Sequence, residues 1–478
     1  MEVLGQAGEG LIARRATAIA AVLAVAIACA WAWPFAIDDV FIEVRYARHL
    51  AEGAGYVWNA GGPSTDGVTP LPWALLLSPL AHGSSLEVLF RARVLGALVW
   101  GVTAACWGHA VGRASAAGWV KAVAVVVLAI NLPLGAHVVS GMETALATSL
   151  ATGALLAWRR PVLAAVLAGL AATLRPELAV WSVAASAGFA LLAFRSPGRV
   201  LLVGLLAAVP FALCAVARVW AFGSPVPLSV LAKPSDLAHG VAYAGAAALV
   251  SLAPILLASP VALLRARGPA LVIAGASLLH LGVIVAVGGD WMPYARLMVP
   301  VLPAMLYAFV LASPYARTAA TVARSALGLA FGLYVLASNV GTLRRAGTDR
   351  AALIERARPV LREAHGIATV DIGWPSAVSE ATIVDLAGVT DPDVAPLPGG
   401  HTSKRIDPAF LVGKAPDVAL FYTDLVPDAL AAVTYMDFPR VVEARLARSD
   451  LFQAHYAPAS FLPLGQKGAG YVVYRRLP

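Results

Sequence analysis

The chain has 478 residues, 60% of them hydrophobic and only 13% charged, whereas a soluble globular protein is about a quarter charged. That balance excludes an ordinary soluble enzyme and points to an integral membrane protein. The net charge of +8 does not mark a nucleic-acid binder, because residues 1–344 hold 21 Lys/Arg against 12 Asp/Glu while residues 345–478 hold 14 against 15. The basic excess lies in the apolar part, where orientation in a membrane explains it.

The first apolar run, residues 16–36, follows Arg14 and Arg15. It is long for a signal peptide, and "WAWPFAIDD" offers no small-residue cleavage site, so it reads as a retained transmembrane helix. Runs of about 20 apolar residues can span a bilayer. Eleven such runs are expected, near residues 14–35, 86–111, 118–134, 140–158, 161–174, 177–194, 199–221, 240–264, 269–287, 297–312 and 320–341. With the N-terminus in the cytoplasm, the inner loops carry Arg14/Arg15, Arg113/Lys121, Arg159/Arg160, Arg195/Arg199, Arg265/Arg267 and Arg317/Arg324, with no acid among them. All acids from Asp38 to Asp290 then fall outside, a separation that follows the positive-inside rule. Cys29, Cys106 and Cys214 sit in apolar runs and read as small buried hydrophobes.

The outer side receives the loop 36–85, shorter turns, and a tail of residues 345–478. In the loop, Val40, Val44, Ala47 and Ala51 share one helical face, and Arg45, Arg48, His49 and Glu52 form a polar stripe. That pattern suits an interfacial helix, and "TPLPWALLLSPLAHG" (69–83), too short and Pro-interrupted to span, suits a second one. The tail alternates β-type runs ("GIATVDIG", "ATIVDLAG", "DVALFY", "GYVVYRR") with helical or turn-rich segments such as 351–364 and 426–432. It is expected to be a small extracytoplasmic α/β domain. The chain thus divides into a transmembrane part, 1–344, and this domain, 345–478.

Asp38 and Asp39 open the first loop helix. They fit a helix cap with a first-turn acid. They also fit a carboxylate pair whose proton affinity is raised by proximity and desolvation, one of them a general base toward a hydroxyl, or a pair of oxygen ligands for a divalent cation. The remaining outer turns carry Glu143, Glu177 and Asp290 as acids and Arg175, Lys233 and Arg296 as bases. Singly, each is a snorkelling or capping charge. Together they offer acids to activate an acceptor and bases to hold a phosphate, with Arg as a bidentate donor and Lys as a point charge. His109 and His280 lie in apolar runs and read as core residues. No HExxH, CxxC pair, P-loop or GxGxxG is present, so the sequence gives no sign of zinc proteolysis or nucleotide hydrolysis.

The stretch "DDVFIEVRYARHLAEGAGYVWNAGGPSTDGVTPLPWALLLSPL" resembles the first external loop of C-type (GT-C) membrane glycosyltransferases, in particular the arabinofuranosyltransferase-like branch. The carrying residues are Asp38-Asp39, Phe41-Ile42, Arg45-Tyr46-Ala47, Ala51 to Asn59 with Trp58, and Thr69 to Trp73. "SGMET" (140–144), "LRPE" (174–177), "FGSPVPLSVLAK" (222–233), "GGDWMPYARLMVPVLP" (288–303) and, in the tail, "VDIGW", "IVDLAGVTDPDVA" and "GHTSK" follow in the same order. The resemblance covers nearly the whole chain. It departs at "STDGVTPLPW", where Pro72 precedes Trp73, and at the turn "PLSVLAK".

The resemblance implies a GT-C fold of about eleven transmembrane helices in a bacterial cell membrane, with its site at the outer leaflet. The donor would be a polyprenyl-phosphate sugar, arabinofuranose or another pentose or hexose, and the acceptor an extracytoplasmic glycan or protein. Asp38 or Asp39 would take the acceptor proton, Asp38 being the preferred base with Asp39 positioning it or the acceptor. Arg296, Arg175 and Lys233 would meet the leaving phosphate, and Glu143, Glu177, Asp290, Arg45, Tyr46, Trp58 and Asn59 would line the sugar and acceptor pocket. No resident cofactor is expected beyond a divalent cation that the acids could hold. A lipid-linked-sugar flippase, forming no glycosidic bond, is the alternative from another class.

Overall fold

The computed structural model describes residues 2–427, 430, 433–465 and 468–478, with side chains from Leu11 onward except at 252, 255 and 256. Two compact units divide the chain: the first is Met1–Trp33, Arg93–Cys214 and Ser235–Arg344, the second Pro34–Ala92, Ala215–Pro234 and Arg345–Pro478. The loop 36–85, grouped above with the transmembrane part, belongs to the same unit as the C-terminal sheet.

Among the described residues, seven helices are long and apolar enough to cross a membrane: Leu11–Ala32, Ser85–Arg113, Pro176–Ala193, Pro197–Phe222, Gly268–Ala286, Arg296–Tyr315 and Thr318–Leu361. A bent pair, Gly118–Ile130 with Leu132–Val138, is either a broken eighth span or a re-entrant loop. This is a polytopic helical protein, and the expected eleven spans are corrected accordingly. The runs at 140–158 and 161–174 yield shorter apolar helices, Thr144–Leu156 and Pro161–Leu174. The run at 240–264 is three pieces, Leu237–Val250, Leu252–Leu257 and Pro260–Ala266.

Local chemistry explains the breaks. Asn131 accepts from the Leu134 amide at 3.0 Å and is followed by Pro133, an N-cap with proline in the first turn. The pair bends by 55° there. Ser259 accepts from the Ala262 amide at 3.3 Å just before Pro260, so a new helix starts inside what composition alone reads as one span. In the first unit, helices meet closely through small residues. A methyl added at Gly96 would lie 2.7 Å from the Val138 carbonyl, an approach that only glycine permits.

In the second unit, five strands form one sheet in the order β2-β1-β3-β5-β4: β1 Gly366–Thr369, β2 Thr382–Asp385, β3 Val418–Thr423, β4 Tyr456–Pro463 and β5 Gly470–Arg476. β1 runs parallel to β2 and β3, while β5 is antiparallel to β3 and β4. The α/β expectation holds for this tail, with β4 added. That strand carries Pro458 and Pro463, which lack ladder donors, and it occupies the sheet edge where proline is tolerated. The core gathers Ile367, Ile383, Leu386, Phe421, Phe452 and Val472, with Phe421 stacked on Phe452 at 5.2 Å. Both expected loop helices form, as Asp39–Ala51 and Leu71–Leu77, and both belong to this unit. The segment 426–432 lies largely outside the described residues.

Candidate functional site

Asp38 stands at the N-cap position of the helix Asp39–Ala51, yet it makes no side-chain cap bond to that helix. Its carboxylate is used elsewhere. Oδ2 accepts from the Gly373 amide and Oδ1 from the Trp374 amide, both at 2.8 Å. Those amides open the short helix Gly373–Val378, so Asp38 caps a helix more than 300 residues away in sequence. Arg350 adds a bond to Oδ1 at 3.3 Å. The Asp38 side chain is only 13% exposed. Burial raises its carboxyl to about 6 despite Arg350, with Asp371 and Asp39 adding to the rise. Oδ2 carries one described bond and has a second lone pair in hand. The simple cap expected from sequence is thus corrected: Asp38 caps, but not its own helix.

Asp371, two residues past the carboxyl end of β1, receives Arg440 at 2.7 Å and the Tyr471 hydroxyl. Burial opposes its charge, but Arg440, Arg350 and Tyr471 outweigh it and hold the carboxyl below its usual range. Arg440 also reaches Glu443 at 3.4 Å and lies 4.7 Å over the Tyr422 ring. Glu443 is fully buried, which pushes its carboxyl to about 8 against the pull of Arg440. His401 is lowered to about 4, by burial first and then by Lys233 and Arg440, and is a neutral imidazole at neutral pH. Asp38 with Arg350 and Asp371 with Arg440 and Tyr471 thus lie near the carboxyl end of β1, where open α/β sheets bind ligands, and His401 is within electrostatic range of Asp371, Arg440 and Lys233.

Arg45, Tyr46, Trp58 and Asn59, expected to line the pocket, make their described contacts elsewhere in the unit. Arg45 donates to the Trp58, Ala381 and Ser379 carbonyls at 2.7, 2.9 and 3.3 Å. Asn59 exchanges two bonds with Ile383 of the edge strand β2, at 2.9 and 3.0 Å, completing a ladder that would otherwise end there. The Tyr46 hydroxyl bonds Thr65 and the Gly67 amide. Arg45 and Asn59 thus tie the loop to residues 379–383 at the edge of the sheet, while Tyr46 bonds within the loop and the buried Trp58 Nε1 has no hydrogen-bond partner among the described residues. Asp66 pairs with Arg218 at 2.6 Å, both 3% exposed.

The first unit brings together the rest of the expected set. Arg175 precedes Pro176, which disfavours helical backbone at the residue before it; it is extended (φ −135°, ψ 91°) between two helices. Its guanidinium binds Glu177 at 2.7 Å and Glu143 at 2.8 Å, all three side chains being under 10% exposed. Asp290 follows Gly288 and Gly289, both at positive φ, accepts from the Trp291 and Met292 amides and binds Arg296 at 2.8 Å. Tyr294 and Ala295, at φ 62° and 52°, hold this turn in a left-handed conformation that is strained for side-chain-bearing residues. Asp290 is within electrostatic range of Arg175. His280 is buried, as expected of a core histidine, with its two ring nitrogens 3.1 and 2.8 Å from the Glu177 and Leu297 carbonyls, and a neutral imidazole can donate to only one of them.

Arg350, Asp371, Arg440, Glu443 and Tyr471 carry no role in the sequence reading. Two short apolar runs end on an acid, "ATVD" and "TIVD", and the first of these acids, Asp371, belongs to the group. The second of these acids, Asp385, is closed on itself, accepting from the Ala387, Gly388 and Thr390 amides and the Thr390 hydroxyl. Among the described residues, no three His, Cys, Asp or Glu side chains gather so as to hold a metal ion.

A family described as a domain of unknown function (DUF8728) matches residues 346–474, the segment that supplies Arg350, Asp371, Arg440 and Tyr471. No curated protein and no solved structure matches the chain.

Proposed function

We propose that the protein is an inverting glycosyltransferase of the GT-C type in a bacterial cell membrane, with its N-terminus in the cytoplasm and its C-terminal domain outside. It would move a sugar from a polyprenyl-phosphate donor to an extracytoplasmic glycan or protein. The motif resemblance along the chain motivates the class. The observation that carries the chemistry is Asp38: nearly buried, positioned by two amides and Arg350, with its carboxyl raised to about 6. A carboxylate ionised at neutral pH, yet more basic than usual, suits proton transfer from a hydroxyl.

In this reading the acceptor O–H gives its proton to Asp38 while its oxygen forms the bond to the anomeric carbon. The bond from that carbon to the phosphate oxygen breaks on the opposite face, and polyprenyl phosphate leaves with the electron pair. Asp39 orients the acceptor. Lys233, within electrostatic range of His401, would meet the developing phosphate charge. Arg175 and Arg296 are already offset by carboxylates and act in holding their own turns. The test is incubation of the purified protein with a panel of polyprenyl-phosphate sugars and an acceptor glycan, with mass detection of product and released polyprenyl phosphate. Turnover of at least one donor is expected. Release from none of them would overturn the proposal.

A further inference from the structure

The first unit contains a cavity of about 300 Å³ with a chemistry unlike that of the ionic group around Arg175. Arg265, Arg317 and Arg324 line it together with an apolar wall that includes Leu257, Val261 and Phe309. Arg324 uses one nitrogen on the Ala258 carbonyl at 2.7 Å. None of the three arginines forms an ion pair among the described residues. Between Asp236 and Asp349 the sequence has a single acid, Asp290, and Asp290 does not line the cavity. In the same unit Arg175 and Arg296 are both matched by carboxylates. Three arginines, Arg265 and Arg317 exposed and Arg324 half-buried, line one partly apolar cavity with no carboxylate among the lining residues, which makes it a complement to an anion.

An inorganic anion would use only half of this surface. The apolar wall continues outward over Val261 and Leu264, which are 56% and 62% exposed. We propose that the cavity binds an anionic phospholipid, its phosphate between Arg265, Arg317 and Arg324 and the start of an acyl chain against Val261, Leu257 and Phe309. Basic pockets between membrane helices recognise phosphate headgroups in this way, and Arg suits phosphate through its forked donors. The site is independent of the Asp38 chemistry and uses none of its residues.

Native mass spectrometry of the full chain in mild detergent, with phosphatidylglycerol or phosphatidylcholine in mixed micelles, tests this. One retained phosphatidylglycerol per chain is expected, in preference to phosphatidylcholine. Retention should fall at least about tenfold in R265Q/R317Q/R324Q, whose three positive charges are lost. A316F, which fills a lining position and keeps every charge, should lower retention too and stands in if the triple variant misfolds. Excess inorganic phosphate should displace little lipid. Equal retention of the two lipids, or wild-type retention by whichever variants fold, would overturn the proposal. Phosphate binding that fully displaces the lipid would reduce the cavity to a simple anion site and overturn the lipid assignment.

Discussion

The two units each bury charge, and they do so differently. Around Arg175, one guanidinium is clasped by two carboxylates, and a second guanidinium at Arg296 is clasped by Asp290. Each cation is matched locally, which is how a helical membrane unit tolerates ions in its interior. Around Asp38, backbone amides do much of the holding and the carboxyl stays more basic than usual. Matched pairs fix geometry. A carboxylate oriented by weak donors and kept hard to ionise is suited to exchanging a proton.

Breaking the matched group should have the largest structural effect. R175M leaves Glu143 and Glu177 buried without their cation, and removing one partner of a buried pair costs about 3–5 kcal/mol. A marked drop in thermal stability in detergent, or failure to accumulate, is expected. A wild-type melting curve would mean that the pair is not what holds that turn.

D38N should have the opposite profile. Turnover is expected to fall by roughly 10²–10⁴-fold, the range of a lost general base. Stability should fall by only about 1–3 kcal/mol, because one of the two amides loses an acceptor. Turnover and melting measured on the same preparation separate the two effects.

The pH dependence sharpens the contrast next. Rate should rise as pH increases through about 6, as Asp38 ionises. Stability should move the other way. The folded protein holds protons on Asp38, Asp385 and Glu443 with carboxyls near 6, 6 and 8, above their unfolded values, so it binds more protons than the unfolded chain between about pH 4 and 8. Unfolding free energy from these groups therefore falls as pH rises through that window. His401, lowered to about 4, works the other way below its unfolded value near 6.5, so melting temperatures should decline chiefly between about pH 6.5 and 8, where Glu443 gives up its proton. The smallest effect is expected for D39N, which leaves the Gly373 and Trp374 bonds in place. It should weaken turnover less than D38N and leave melting nearly unchanged.

Much of the helical unit is legible in the sequence, because a span needs only an apolar run of sufficient length. The breaks at Asn131-Leu132-Pro133 and Ser259-Pro260 are legible too, once capping residues outweigh hydropathy. β4 was hidden by its two prolines, which argue against a strand unless an edge is available. The group around Asp38 was half legible: adjacent acids announce themselves, but their partners do not. Arg350 lies 312 residues from Asp38, and Tyr471 lies 100 residues from Asp371. Only a folded sheet brings its strand ends and a distant helix to one place. The sequence also suggested that Asp38 caps the helix it precedes, whereas its backbone is itself helical (φ −60°, ψ −46°), and its side chain turns to the amides of Gly373 and Trp374 instead.

The most direct measurement is a single-turnover assay of wild type, D38N and D39N with the donor that the panel identifies, reading released polyprenyl phosphate. The account predicts wild-type release, near-complete loss in D38N with the protein still folded, and a partial loss in D39N. Wild-type-like release by folded D38N would contradict it and leave Asp38 as a helix cap alone.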